Sequence, residues 1–158
     1  FYHQSCVSVT LMDQSDKMLA ECIKKIERLE IRNKVKMVKG DRFADIPGRR
    51  SYDSAIAGFL ISHFNDAQLA EFFKMLRSCL AAGGGFVIID SIWNKEIKTW
   101  RKEKAGMNTR ALFDGRKFQI YKRFFTKKDL RSIAGENGIS LEIIYWGKLF
   151  FMAAGQFL

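Results

Sequence analysis

The order of the predicted elements constrains this chain most, because strand and helix patterns alternate over residues 7–90. Residues 7–12 are β-branched and apolar, as strands are, and residues 13–16 are polar, which suits a turn and a helix N-cap. Apolar residues then recur at three- and four-residue spacing over 18–29, which predicts a helix with one buried face. This alternation predicts an α/β fold: an open sheet with helices on both faces.

Further strands and helices follow the same logic. Asn65 and Asp66 predict the N-cap of a second helix that ends at the glycines 83–85, with a buried strand directly after them. Thr126 and Asp129 predict the cap of a last helix. The other predicted elements are strands 35–38, 52–58 and 86–90, a helix over 95–110, a turn at 113–116, an extended segment 118–124, and an antiparallel hairpin of strands 139–146 and 149–154.

Composition is typical of one ordinary globular domain, and we expect residues 1–158 to form a single domain. The three cysteines lack C-x-x-C spacing, which indicates neither a disulfide framework nor a zinc site and favours a reducing, cytoplasmic compartment. Two histidines and scattered cysteines give no reason to expect a metal. The longest apolar runs are far shorter than the roughly 20 residues of a membrane helix, so no membrane span is expected.

The charge is concentrated in one segment. The chain carries a net charge of +10, and residues 95–131 hold 13 basic and 4 acidic residues, a net charge of +9. Such a segment attracts an anionic substrate, a nucleic acid or a membrane surface. Its interleaved aromatic residues are typical of nucleic-acid binders. A solvated basic face over a packed aromatic core explains the same pattern, and we favour that interpretation.

In an open α/β sheet, ligands bind at the carboxyl ends of the strands, so residues there are the candidates for function. Asp13 follows the first predicted strand and Asp41 the second, while Gly58 and Phe59 follow the third, and Asp90 and Ser91 lie at the end of the fourth. An acid in such a position can accept hydrogen bonds from both hydroxyls of a ribose. Asp13 can equally cap the following helix, and Asp41 carries the same ambiguity.

Several segments in order resemble the class I, Rossmann-like, S-adenosylmethionine-dependent methyltransferases. Residues 9–18 look like that family's second strand with its ribose-binding acid, and 39–43 like its adenine-contacting loop. Residues 52–64 are similar to its fourth strand and active-site turn. Residues 80–90 resemble its helix, glycine and strand signature, and 109–124 a segment of small bacterial members.

The resemblance implies a methyltransferase that uses S-adenosylmethionine as its cofactor and methylates a small-molecule or anionic acceptor. It implies that Asp13 binds the cofactor ribose, with Gln14 beside it, and that Asp41 and Arg42 lie near the adenine. It also places Gly58 and Phe59 near the transferred methyl group. His63 is the candidate catalytic base, although it can instead cap or pack against the next helix.

The sequence departs from the family at one point. The family's first strand and its glycine-rich cofactor loop have no counterpart, so we expect a mostly parallel sheet with a C-terminal antiparallel hairpin that lacks its first strand. The domain is therefore expected to be N-terminally incomplete. Two other hypotheses follow: a basic nucleic-acid-binding module, or RNA methyltransferase, on the same fold, and a truncated, inactive methyltransferase that is stable as a homo-oligomer.

Overall fold

The computed structural model describes residues 7–40, 49–96 and 103–158. These residues form two compact units. Residues 7–40 belong to the first unit, and the remaining described residues belong to the second.

The first unit is a β-α-β arrangement, as the sequence predicts. Strand β1 (Val9–Asp13) and strand β2 (Val35–Lys39) pair in parallel, with helix α1 (Asp16–Arg28) between them along the chain. Within the apolar stripe of α1, only Ile26 is buried, and Met18 remains 52% exposed. The predicted buried face is therefore only partly covered, because the helix packs on a sheet of two strands.

The second unit is built on a mixed sheet of order β3-β4-β8-β7. Strands β3 and β4 are parallel, and β8 is antiparallel to both of its neighbours, β4 and β7. This arrangement confirms the predicted C-terminal antiparallel hairpin. Its elements are β3 (Tyr52–Gly58), helix α2 (Asp66–Cys79), β4 (Leu80–Ser91), helix α3 (Lys127–Glu136), β7 (Ile139–Trp146) and β8 (Phe150–Phe157).

The core of the second unit is aromatic. Phe64, Phe125 and Phe151 are almost fully buried. Phe151 meets Phe125 edge-on at 5.8 Å between ring centroids and stacks on Trp146 at 5.9 Å. Geometries of this kind add to the stabilisation from burial, so this sheet and its helices form a well-packed body.

The glycine run corrects one prediction. Helix α2 ends at Cys79, and Gly83, Gly84 and Gly85 lie inside β4 rather than at a helix stop. A Cβ on Gly84 would lie 3.0 Å from the carbonyl oxygen of Asp53 and 3.2 Å from that of Tyr52. Glycine is therefore required at this position for the close approach of β4 to β3. In the sequence, the same run of glycines resembles the end of a helix.

A second correction concerns the basic segment. Residues 97–102 lie outside the described residues, but Ala105–Ala111 form a strand, β5, instead of continuing the predicted helix over 95–110. Strand β5 pairs with β6 (Lys117–Arg123) in an antiparallel hairpin, which confirms the predicted extended segment. The predicted turn is also confirmed, with Gly115 at φ 84°. The distal part of this hairpin is exposed to solvent on both faces. Its lysines and arginines therefore resemble those of an exposed helix rather than a strand.

Two predicted helix caps are confirmed. Asn65 and Gln68 form a reciprocal capping box at α2, and Thr126 and Asp129 form one at α3. Within the described part of the chain, no helix has the length and apolar character required to cross a bilayer.

Candidate functional site

Asp13 ends β1, as predicted, and its carboxylate is partly committed. The Oδ1 atom accepts a hydrogen bond from the backbone N–H of Ser15 at 2.8 Å. Ser15 is itself the N-cap of α1, since its hydroxyl accepts from the N–H of Met18. Asp13 is therefore not the cap. Among the described residues, none donates to its Oδ2.

The other predicted cofactor residues of the first unit are described only in part. Gln14 is exposed directly after Asp13. Asp41 and Arg42 lie outside the described residues. The backbone N–H of Gly40 donates to the carbonyl oxygen of Asp13 at 3.3 Å, so the chain after β2 starts beside the end of β1.

Gly58 and Phe59 form the turn at the carboxyl end of β3. Phe59 has a φ of 53°, a left-handed conformation that is unusual for a bulky residue and costs on the order of 1–2 kcal/mol. Its N–H donates to the carbonyl oxygen of Ile89 at 2.7 Å, and its ring is 54% exposed. A Cβ on Gly58 would meet no atom within 4 Å. The turn is thus fixed by backbone contacts and opens onto free space.

His63 lies in the short 3-10 helix Ile61–His63 that follows this turn. Its Nδ1 atom is 3.0 Å from the carbonyl oxygen of Tyr121 in β6. The cap of α2 is Asn65, so the capping alternative for His63 is excluded. A carbonyl oxygen only accepts, so Nδ1 carries a proton and donates it. In the neutral ring the Nε2 lone pair is then the basic site.

Three further polar residues lie around this turn: Asp90, a strand-end candidate to which the sequence assigned no role, and Ser62 and Lys122, which were not predicted. Asp90 and Ser62 are fully buried, and Lys122 is 8% exposed. The Asp90 carboxylate accepts from the N–H of Ser62 at 3.0 Å and lies 3.8 Å from the Lys122 ammonium. The position of Asp90 after an apolar strand was a signal in the sequence. Lys122 gave none, because it is one cation among many.

Four of the described cations of the basic segment pair with carboxylates: Lys104, Arg116, Lys122 and Arg123. Arg123 donates to Asp66 at 2.6 Å, and Arg116 lies 2.7 Å from Asp114. The side-chain hydrogen bond from Arg116 lowers the pKa of Asp114. Burial raises the pKa of Asp129, but hydrogen bonds from Lys104 and Thr126 outweigh it, so the pKa lies below its ordinary value. Phe124 and Phe125 are buried, as expected for an aromatic core, whereas Phe113 is fully exposed.

The side chains capable of binding a metal are dispersed. In the parts of the chain that the structure describes, no three histidine, cysteine or acidic side chains come together in a group that could hold an ion.

These features define a Rossmann-like α/β protein with its candidate residues at the carboxyl ends of strands. A family model for the methyltransferase domain matches residues 1–84, more than half of the sequence. The chain belongs to this methyltransferase family. The resemblance derived from the sequence is therefore confirmed at the level of the family and the fold.

Solved structures agree with this assignment. The complex of DhpI with SAH is 26% identical with a TM-score of 0.75; the match covers 94% of this chain and 65% of DhpI. The DhpI-SAM-HEP complex is 25% identical with a TM-score of 0.78, covering 95% of this chain and 68% of that one. A putative S-adenosylmethionine-dependent methyltransferase from Listeria monocytogenes shares the fold at 15% identity and a TM-score of 0.69, with coverages of 94% and 79%. No curated protein matches the sequence.

Proposed function

We propose that this chain is an S-adenosylmethionine-dependent methyltransferase in which Asp13 binds the ribose of the cofactor. The observation that carries the proposal is the state of the Asp13 carboxylate. Its Oδ1 is held by the N–H of Ser15, and Ser15 takes over the capping of α1. The carboxylate is thus oriented while Oδ2 remains for hydroxyls of a ligand. Family membership and the SAM and SAH complexes of similar structures support the cofactor.

The remaining roles follow from the position of each residue. Gln14, Asp41 and Arg42 are proposed to bind around the ribose and adenine. Gly58 and Phe59 are proposed to border the transferred methyl group, since the space beside Gly58 is open. A bulkier side chain at Gly58 would fill that space.

His63 is the proposed base. S-adenosylmethionine, when bound, would supply a methyl group on a sulfonium centre whose leaving group is a neutral thioether. If the attacking atom of the acceptor carries a proton, it must lose that proton as it gains the methyl group, because it would otherwise be left with a positive charge. The Nε2 of His63 has the lone pair to accept that proton. The Tyr121 carbonyl holds the ring in this tautomer. The turn at Gly58 and Phe59 and the ring of His63 together orient an acceptor. This orientation is the larger part of catalysis in methyl transfer.

The acceptor is proposed to be a small anionic molecule. Arg110 and Lys117 are exposed on the β5–β6 hairpin, and β6 also supplies the carbonyl that holds His63. Cations on the element that borders the proposed base would attract and orient a negatively charged acceptor.

Calorimetric titration of the chain with S-adenosylmethionine and with S-adenosylhomocysteine tests the cofactor site. Asp13→Ala is expected to weaken binding by about 1–3 kcal/mol, roughly 5- to 150-fold, because a charged hydrogen-bond partner is lost. Asp16→Ala is the matched control. Asp16 is exposed in the same segment and pairs with Lys39 at 2.7 Å, so this variant should bind as the parent does. Equal weakening by both variants, or a folded parent that binds neither ligand, would refute the proposal.

A second candidate function is nucleic-acid binding by the same hairpin. Phe113 and Phe118 are exposed next to Arg110, Arg116 and Lys117, and bases stack on rings in such surroundings. Binding of a fluorescent single-stranded oligonucleotide should then weaken steeply as salt is raised. Phe113→Ala should weaken it further. Affinity that is independent of salt and of Phe113 would eliminate this candidate.

A further inference from the structure

Asp90 is a buried carboxylate at the carboxyl end of β4 that the proposed chemistry does not use. Its Oδ2 accepts from the N–H of Ser62 at 3.0 Å, and its Oδ1 accepts from the N–H of Ser91 at 2.7 Å. A fully buried carboxylate is costly unless it is hydrogen-bonded and paired. Asp90 therefore ties the end of β4 to the 3-10 helix that contains His63.

Lys122 approaches the same helix from β6. It is 8% exposed, its Nζ donates to the Ser62 hydroxyl at 2.5 Å, and it lies 3.8 Å from Oδ1 of Asp90. The ammonium also lies 5.7 Å from the ring centroid of Phe124. Ser62 is thus held twice, by its backbone to Asp90 and by its side chain to Lys122. Because Ser62 has no exposed surface, its contact with Lys122 serves geometry and not nucleophilic attack.

The neighbours of Lys122 and Ser62 are also in contact. The carbonyl oxygen of Tyr121, which precedes Lys122 in β6, accepts the Nδ1–H of His63, which follows Ser62. Two successive residues of one strand therefore hold two successive residues of the 3-10 helix. A displacement of Ser62 relative to β6 would also lengthen the hydrogen bond that selects the tautomer of His63.

We propose that Lys122, together with Asp90, is a positioning residue that fixes Ser62 and thereby keeps His63 in the Nδ1–H tautomer with Nε2 as its basic atom. A buried ion pair is a poor source of stability compared with apolar side chains of the same size, but it can impose one arrangement on its surroundings. Here that arrangement is the orientation of the imidazole. The relevance to catalysis rests on the proposed function, in which His63 is the base.

The tautomer of His63 can be measured directly by two-dimensional NMR of the full chain labelled with ¹⁵N-histidine. The sequence has two histidines, so a His3→Gln variant assigns the ring signals. The spectra are recorded at about pH 8.5, well above the pKa of about 6.5 of an ordinary imidazole. The parent should show the proton of His63 on Nδ1 alone. In Lys122→Met the proton should move in large part to Nε2, the position that free histidine prefers.

Two matched variants accompany this measurement. Lys117→Met removes an exposed lysine from the same strand and should leave the His63 signals unchanged. Lys122→Arg retains a cation and should keep the proton on Nδ1. A folded Lys122→Met chain with an unaltered His63 tautomer would overturn the proposal, as would a parent with the proton on Nε2.

Ser62→Ala covers the case in which Lys122→Met does not fold. It deletes only the hydroxyl to which Lys122 donates, and it should also shift the proton partly to Nε2; full retention of the Nδ1–H form would count against the positioning role. Calorimetry with S-adenosylmethionine on the same samples separates the two proposals. A parent that fails to bind it refutes the cofactor assignment, while the tautomer result still decides the role of Lys122.

Discussion

The two compact units differ in how much of their apolar surface they bury. In the described part of the first unit, the buried core consists of Ile26 and Val35. The second unit buries a set of aromatic rings, among them Phe64, Phe125 and Phe151. Stability follows buried apolar area. Among the described residues, the proposed ribose-binding acid therefore lies on the unit with the smaller buried core, and the proposed base on the unit with the larger one.

Because of this difference, we expect variants in the two units to lose function in different ways. A variant in the first unit can lose binding because the strand end of Asp13 is no longer ordered. The second unit has a larger buried core, so a substitution at the Gly58–Phe59 turn should change the reaction rate before it changes the stability of the fold.

The largest effect is expected from Phe151→Ala. Its ring is fully buried between Phe125 and Trp146, and deletion of a buried aromatic side chain costs about 3–5 kcal/mol. Urea unfolding followed by tryptophan fluorescence measures this loss, since Trp93 and Trp146 belong to the second unit. Met18→Ala, on the exposed side of α1, should change stability by no more than about 0.5 kcal/mol. A loss under 1 kcal/mol for Phe151→Ala would mean that the aromatic core does not carry the second unit.

Sequence reasoning succeeded for features that short-range hydrogen bonds determine. The capping boxes of Asn65 with Gln68 and of Thr126 with Asp129 span three residues each, so local pattern is enough to find them. It failed at Gly84, where the need for glycine arises from β3, a strand distant in the sequence. It also failed at β5, whose sequence has no strand signature because Met107 and residues 109–111 are exposed to solvent.

The residues of the candidate site also fall into two groups: those that the local sequence identifies and those that depend on distant contacts. Asp13, Gly58, Phe59 and His63 were identified because each follows an apolar strand closely in sequence. Lys122 was not, since it reaches Ser62 across 60 positions and only the pairing of β5 with β6 directs it inwards. Long-range placement of one lysine among many is not encoded in any local pattern.

An intermediate effect is expected from the helix caps, and it should differ between the units. Asn65→Ala removes the N-cap of α2, whose apolar face is buried, and should cost about 1 kcal/mol of stability. Ser15→Ala removes the N-cap of α1, where only one residue is buried. That loss should appear as faster hydrogen exchange of the α1 amides with little shift in the tryptophan transition. Equal shifts of the tryptophan transition in both variants would show that the two units unfold together.

The smallest effect is expected from the partly exposed Asp129. Its pKa lies below the ordinary value because the hydrogen bonds from Lys104 and Thr126 outweigh burial. A depressed pKa in the folded state stabilises the fold above the pKa of the unfolded chain, about 3.9, and this contribution is lost as the pH falls through the folded value. Lys104→Met should therefore reduce the loss of stability between about pH 5 and pH 2. Solvent screening limits the change to under about 1 kcal/mol. Urea unfolding at several pH values measures it, and a steeper acid loss in Lys104→Met would contradict the assignment, because removing the cation can only raise the pKa of Asp129 in the folded state.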